Sequence, residues 1–196
     1  KSVEVGNDLE INGNANFANT VTTGNNLTIE GDEIIINGAA IAGKSEPFTE
    51  GSILLTGITK ITANSLFATK EITLKSPSVT TENIDAKNDV EIEGNKITTK
   101  EIKTTNNITL NGNVIETSAL NAAKNITIQG TTIKNAALIA TENVFINKDS
   151  EVLEQTLNIT GDVSSNNFEA VAKTQTFDGT ISVTNDFISK GESLIF

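Results

Sequence analysis

Six side-chain types are missing from this 196-residue chain: Arg, His, Cys, Met, Trp and Tyr. Without His or Cys there is no zinc site of the usual kind, and no imidazole or thiol catalysis. Without Arg there is no planar fork to clamp phosphate or carboxylate in bidentate fashion. The eight Phe are the only aromatics, and the formal net charge is -11. An acidic chain without Tyr or Trp to stack bases is a poor partner for nucleic acid. No apolar run is long enough to span a bilayer, so membrane insertion is not expected. The lack of Cys fits a secreted bacterial repeat protein held together by its sheets instead of disulfides. Because the chain starts at Lys1 and has no Met, it is expected to be a processed or excised piece, with any targeting segment outside it. No cofactor and no metal are expected.

What remains is Asn, Thr, Ile and Lys arranged periodically. Five strand-like signatures recur at a constant step: Ile72-Thr73-Leu74, Val90-Glu91-Ile92, Ile108-Thr109-Leu110, Ile126-Thr127-Ile128 and Val144-Phe145-Ile146. The same signature occurs earlier, at the same step, as Leu9-Glu10-Ile11 and Leu27-Thr28-Ile29. Ile53-Leu54-Leu55 precedes Ile72 by one residue more than that step. Apolar residues at i and i+2 mark a strand with one buried face. Each repeat holds two more such pairs. One set is Val79 with Thr81, Ile97 with Thr99 and Ile115 with Thr117. The other is Leu66 with Ala68, Ile84 with Ala86, Ile102 with Thr104, Leu120 with Ala122 and Leu138 with Ala140. Helical spacing is not sustained anywhere.

Three short strands in so short a repeat leave no room for long hairpin strands. They fit a coil in which each strand pairs in parallel with its equivalent above and below. The expected fold is therefore all-β: a right-handed parallel β-helix (solenoid), about 18 residues and three short strands per coil, in one segment over residues 1–196. Its core columns are Ile72 and Leu74, Val90 and Ile92, Ile108 and Leu110, Ile126 and Ile128, and Val144 and Ile146. Gly31, Gly94, Gly112 and Gly130 follow the first strand and are expected to supply positive φ at a sharp corner. A polar column precedes that strand. Its members Asn26, Asp89, Asn107, Asn125 and Asn143 are expected to tolerate left-handed corners and to stack amide on amide.

Two breaks interrupt the pattern. About eight extra residues near 42–51 read as a loop insertion. After 147 the register becomes irregular, because Leu157-Asn158-Ile159 followed by Gly161 reads as a first strand that arrives five residues early.

The phrases Asn106-Asn107-Ile108-Thr109-Leu110-Asn111-Gly112 and Lys124-Asn125-Ile126-Thr127-Ile128-Gln129-Gly130 resemble the β-helical repeats of filamentous-haemagglutinin-like exoproteins. Those are large bacterial adhesins exported by two-partner secretion. The resemblance extends over about three quarters of the chain. That family's secretion domain carries Asn-Pro-Asn motifs. Here the only prolines are Pro47 and Pro77, so the resemblance implies a region other than the secretion signal. Autotransporter passengers and bactofilin-like filament proteins share the same style of repeat.

Candidate sites are few. The sequons at Asn26, Asn107, Asn125 and Asn158 match Asn-x-Thr, a spacing the repeat itself generates. The outward Thr residues are too often interrupted for an ice-binding array, and ordinary β-propensity accounts for them. The acidic residues form no calcium-loop motif. A glycosidase would use paired carboxylates, yet the chain lacks the aromatic and basic residues that hold sugars in such enzymes, so no enzyme is expected. The inserted loop, with Lys44, Glu46, Pro47 and Phe48, is the candidate contact site, since loops on rigid scaffolds commonly carry recognition. Together these features point to a structural or adhesive stalk segment of a secreted, cell-surface exoprotein. Its expected partners are neighbouring coils or copies met through open β-helix ends, and a host surface protein or glycan. The alternative is a subunit that stacks end to end into an extracellular filament or matrix.

Overall fold

A computed structural model describes residues 1–45, 48–148, 150 and 154–196. The described residues contain no helix. Twenty-two strands form one continuous sheet whose pairings are all parallel, with a separate two-stranded hairpin beside it. The chain winds as a β-solenoid of three faces per coil, and successive coils step regularly from Val90 to Ile108 to Ile126.

The first face is carried by the strands Ile72–Lys75, Val90–Glu93, Ile108–Asn111 and Ile126–Gln129 and their equivalents. Val90 pairs with Ile72 below and Ile108 above, so β-branched residues lie over one another. In the central coils one nine-residue strand, such as Lys96–Thr104, bends to supply both the second and third faces. In the second and third coils the strands are longer still, Leu27–Ala42 and Ile53–Ala68.

The alternation of large inward residues follows from the pleat. The first-face columns from Ile72 to Ile146 are fully or almost fully buried. Inward residues on the third face alternate large and small, as in Leu120 with Ala122, which lets that face close against the first. Each Ile or Leu taken out of water contributes about 1.5–3 kcal/mol, and the columns repeat that gain coil after coil. Towards the C-terminal end aromatics replace aliphatics. Phe168 stacks on Phe187 at 5.1 Å and meets Phe177 edge-on at 5.7 Å.

The register after Ile146 differs from the expectation. Leu157 pairs with Ile133 and Ile159 with Asn135, so Thr156–Ile159 belongs to the second face and is not a first strand. The next first-face strand is Asn167–Val171, with Phe168 over Val144. The step from Val144 to Phe168 exceeds the regular one by six, so an excursion falls at a corner and the coiling then resumes.

The corner glycines also differ from expectation. Among the described glycines only Gly13 and Gly43 have positive φ. Gly112 is needed for a different reason: a Cβ there would lie 2.4 Å from the carbonyl oxygen of Gly94 in the coil below. The demand is close coil stacking, not a left-handed backbone. The corner asparagines of the polar column likewise keep negative φ, and the one left-handed non-glycine among the described residues is Asn147.

Candidate functional site

Three features at the corners carry polar chemistry. The first is the column before the first face. Asn107 donates from Nδ2 to Asp89 Oδ1 at 2.9 Å, and its own Oδ1 accepts Asn125 Nδ2 at 3.0 Å. Asn125 Oδ1 accepts from Asn143, and Asn143 Oδ1 accepts from Asn167, each at 2.7 Å. Lower down, Asn26 donates to Asp8 at 2.9 Å. Each of these rungs donates toward the N-terminal end. Asp89 therefore accepts from above and has no amide to pass a bond downward, where Ser52 instead donates to Glu71 at 2.7 Å. The expected members lie in one line, and Asn167 and Asp186 extend it. Sequence reading misses those two because the register is lost before them. The ladder also bears on the sequons: Asn26, Asn107 and Asn125 each commit their Nδ2 to a rung.

The second feature is the inserted loop. Its base is a hairpin of Lys44–Ser45 with Phe48–Thr49, leaving the coil at Gly43, whose φ is 81°. Thr69 Oγ1 in the next coil donates to the Thr49 carbonyl at 2.8 Å and accepts the Gly51 N–H at 2.9 Å. Lys70 pairs with Glu50 at 2.8 Å. The hydrogen bond to Glu50, and then its charge, hold the Lys70 ammonium above the ordinary lysine range. Of the candidate contact residues, Lys44 stands at the hairpin base and is half-buried. Glu46 and Pro47 lie outside the described residues, as does the side chain of Phe48.

The third feature is not read from the sequence: a groove along the corner between the first and second faces. Its floor is the stacked column Gly57, Ser76, Gly94, Gly112 and Gly130. One wall carries Lys75, Glu93, Asn111 and Gln129. The other carries Pro77, Asn95, Asn113 and Thr131. Its volume is about 770 Å³, within the range of ligand clefts. Ile58, 69% exposed, stands at one end. At the other end Asn147 clips the coils together, accepting the Gly130 N–H at 2.8 Å and donating to the Gly130 carbonyl at 3.0 Å. The signal that could have revealed the groove is the Gly column flanked by outward polar residues at i−1 and i+1.

Among the described residues no three His, Cys, Asp or Glu side chains come together as a metal site. Most ion pairs between coils, such as Lys100 with Glu82 at 2.7 Å, are solvent-exposed, a setting in which such pairs contribute little; Glu169, mostly buried, pairs with Lys190 at 3.0 Å. Compared with protein-family models, curated proteins and solved structures, the chain finds no match.

Proposed function

We propose that the chain is a structural and adhesive stalk segment of a large secreted bacterial surface exoprotein of the filamentous-haemagglutinin-like kind. One observation carries this reading. The stacking continues in register through ten first-face positions from Leu9 to Phe187, and both corner excursions leave it intact. At ~4.8 Å per coil this is a rod about 50 Å long. Each coil contacts only its neighbours, so such a scaffold adds reach without redesign and presents each side-chain column in a constant direction. The repeat phrases around Asn107 and Asn125 support the same family.

A second reading has its own observation. The terminal coil exposes apolar surface, with Phe196 76% exposed and Ile195 and Leu194 about half exposed. A strand edge with such a surface is a template for pairing, with a further coil of a longer chain or with a second copy, and the second case gives end-to-end stacking into a filament. Electron microscopy with light scattering on the purified chain separates the two. Separate rods of about 50 Å, the length of ten coils at the strand spacing, together with adhesion of chain-coated beads to animal cells, support the stalk. Long uniform filaments support the polymer. Rounded particles without a rod axis overturn both.

A further inference from the structure

We infer that the groove between Ile58 and Asn147 binds a linear, uncharged glycan lying along the rod axis. This deepens the adhesive reading and rests on it.

The groove stays bare for a physical reason. At Gly94 a Cβ would fall 2.3 Å from the Ser76 carbonyl, and at Gly112 it would fall 2.4 Å from that of Gly94. The backbone contact that stacks the coils thus forbids a Cβ at Gly94 and Gly112, and Ser76 is left as the one side chain on the floor. The walls are rich in carboxamides. Asn111 and Gln129 face the groove from one side, and Asn95 and Asn113 from the other. An amide offers both donor and acceptor, which matches a sugar hydroxyl, itself both donor and acceptor. Asn111 and Gln129 are exposed, and their side chains make no hydrogen bond among the described residues. Their full bonding capacity faces outward.

An independent observation lies on the floor. Ser76 is the one side chain in that column, is only 6% exposed, and its hydroxyl has no hydrogen-bond partner among the described residues. A buried polar atom without a partner is costly, and the residue that carries it belongs to the lining of the groove.

Charge and spacing choose the ligand class. Lys75 is the one cationic side chain among the described lining residues, and it lies 3.7 Å from Glu93 and 3.9 Å from Glu91. With a net charge of -11, nothing here attracts a polyanion. The rows repeat at ~4.8 Å, whereas an extended peptide advances ~3.3 Å per residue and loses register within a few rows. A chain of β-1,4-linked pyranose rings has a unit length close to the coil spacing, so each row meets one ring, with alternate rings turned over. The apolar surfaces of Ile58 and Pro77 give C–H faces of the rings a place to rest.

The test is calorimetric titration of the purified chain with cello-, manno- and N-acetylated chito-oligosaccharides of increasing length, with an uncharged extended peptide alongside. At least one saccharide series should bind, with affinity rising ring by ring until about five rows are filled. The double variant Asn111→Ala/Gln129→Ala should weaken that binding about tenfold or more, with an unchanged melting temperature. Absence of binding by every series, equal binding by the double variant, or preference for the peptide overturns the proposal. Bead adhesion separates the two levels. Cell adhesion that survives the double variant removes the groove and keeps the adhesive reading. Saccharide binding without cell adhesion keeps the groove and removes the adhesive role.

Discussion

Thr99 sits inside the rod, 4% exposed, in the second-face column that also holds Thr81, Thr117 and Asn135. Its hydroxyl is fully buried and has no partner among the described residues. Leaving such a group unsatisfied costs about 1–3 kcal/mol. Valine has nearly the same shape and replaces the hydroxyl by a methyl group, so Thr99→Val should stabilise the fold by about 1–2 kcal/mol. For a chain of this size that raises the melting temperature by about 2–4 °C per kcal/mol. The matched control is Thr104, an inward residue on the third face of the same coil. Its Oγ1 donates to the Asn88 carbonyl and accepts the Asn106 N–H at 3.1 Å. Thr104→Val removes both bonds and should destabilise by about 1–3 kcal/mol. Urea titration of both variants, followed by circular dichroism, reads the opposite signs directly. A Thr99→Val variant that falls as far as Thr104→Val would refute the argument, because the hydroxyl would then be bonded.

Ile126→Asp places a charge with no partner in a fully buried column, so it should cost several kcal/mol. The outward Thr127→Ala should barely move the same melting curve. Asn107→Asp removes the donor to Asp89 and sets two carboxylates one coil apart. It should cost about 1–3 kcal/mol at neutral pH. Like-charge repulsion raises the carboxyl pKa in the folded variant, so its deficit should shrink as pH falls toward about 4. A pH-independent deficit in thermal melts would contradict the ladder's role. Gly112→Ala drives a Cβ against the Gly94 carbonyl and should lower stability by about 1–3 kcal/mol. Gly6→Ala, with open space around its Cβ position, is the silent comparison in the same melts.

Much of this architecture is legible because the strand period and the coil period both appear in the sequence. Ile108 and Leu110 announce a strand, and their recurrence at Ile126 and Ile128 announces the coil. What fails to read through is decided between coils. Leu157-Asn158-Ile159-Thr160-Gly161 has the local look of a first strand, but its place is set by packing on Ile133 and Asn135, which no local window contains. The reason for Gly112 is hidden likewise, since the limiting atom belongs to Gly94 in the preceding coil. The groove is easily missed because Asn111 and Gln129 read as ordinary polar strand ends, and the Gly column beside them is its one trace in the sequence. Only the corner's concavity gives them a common direction.

The two corner excursions, one before Ile53 and one before Phe168, leave the first-face pairing in place, with register shifts between Gly31 and Glu33 and between Ile36 and Ala39 on the neighbouring faces. Coil number and residue number are thereby uncoupled. Length along the axis changes only in whole steps, while the amount of chain hung on any corner is free to vary. A rod built this way keeps one ruler for distance and a separate, unconstrained space for surface novelty. Its sequence can diversify at the corners for as long as the columns within remain stacked.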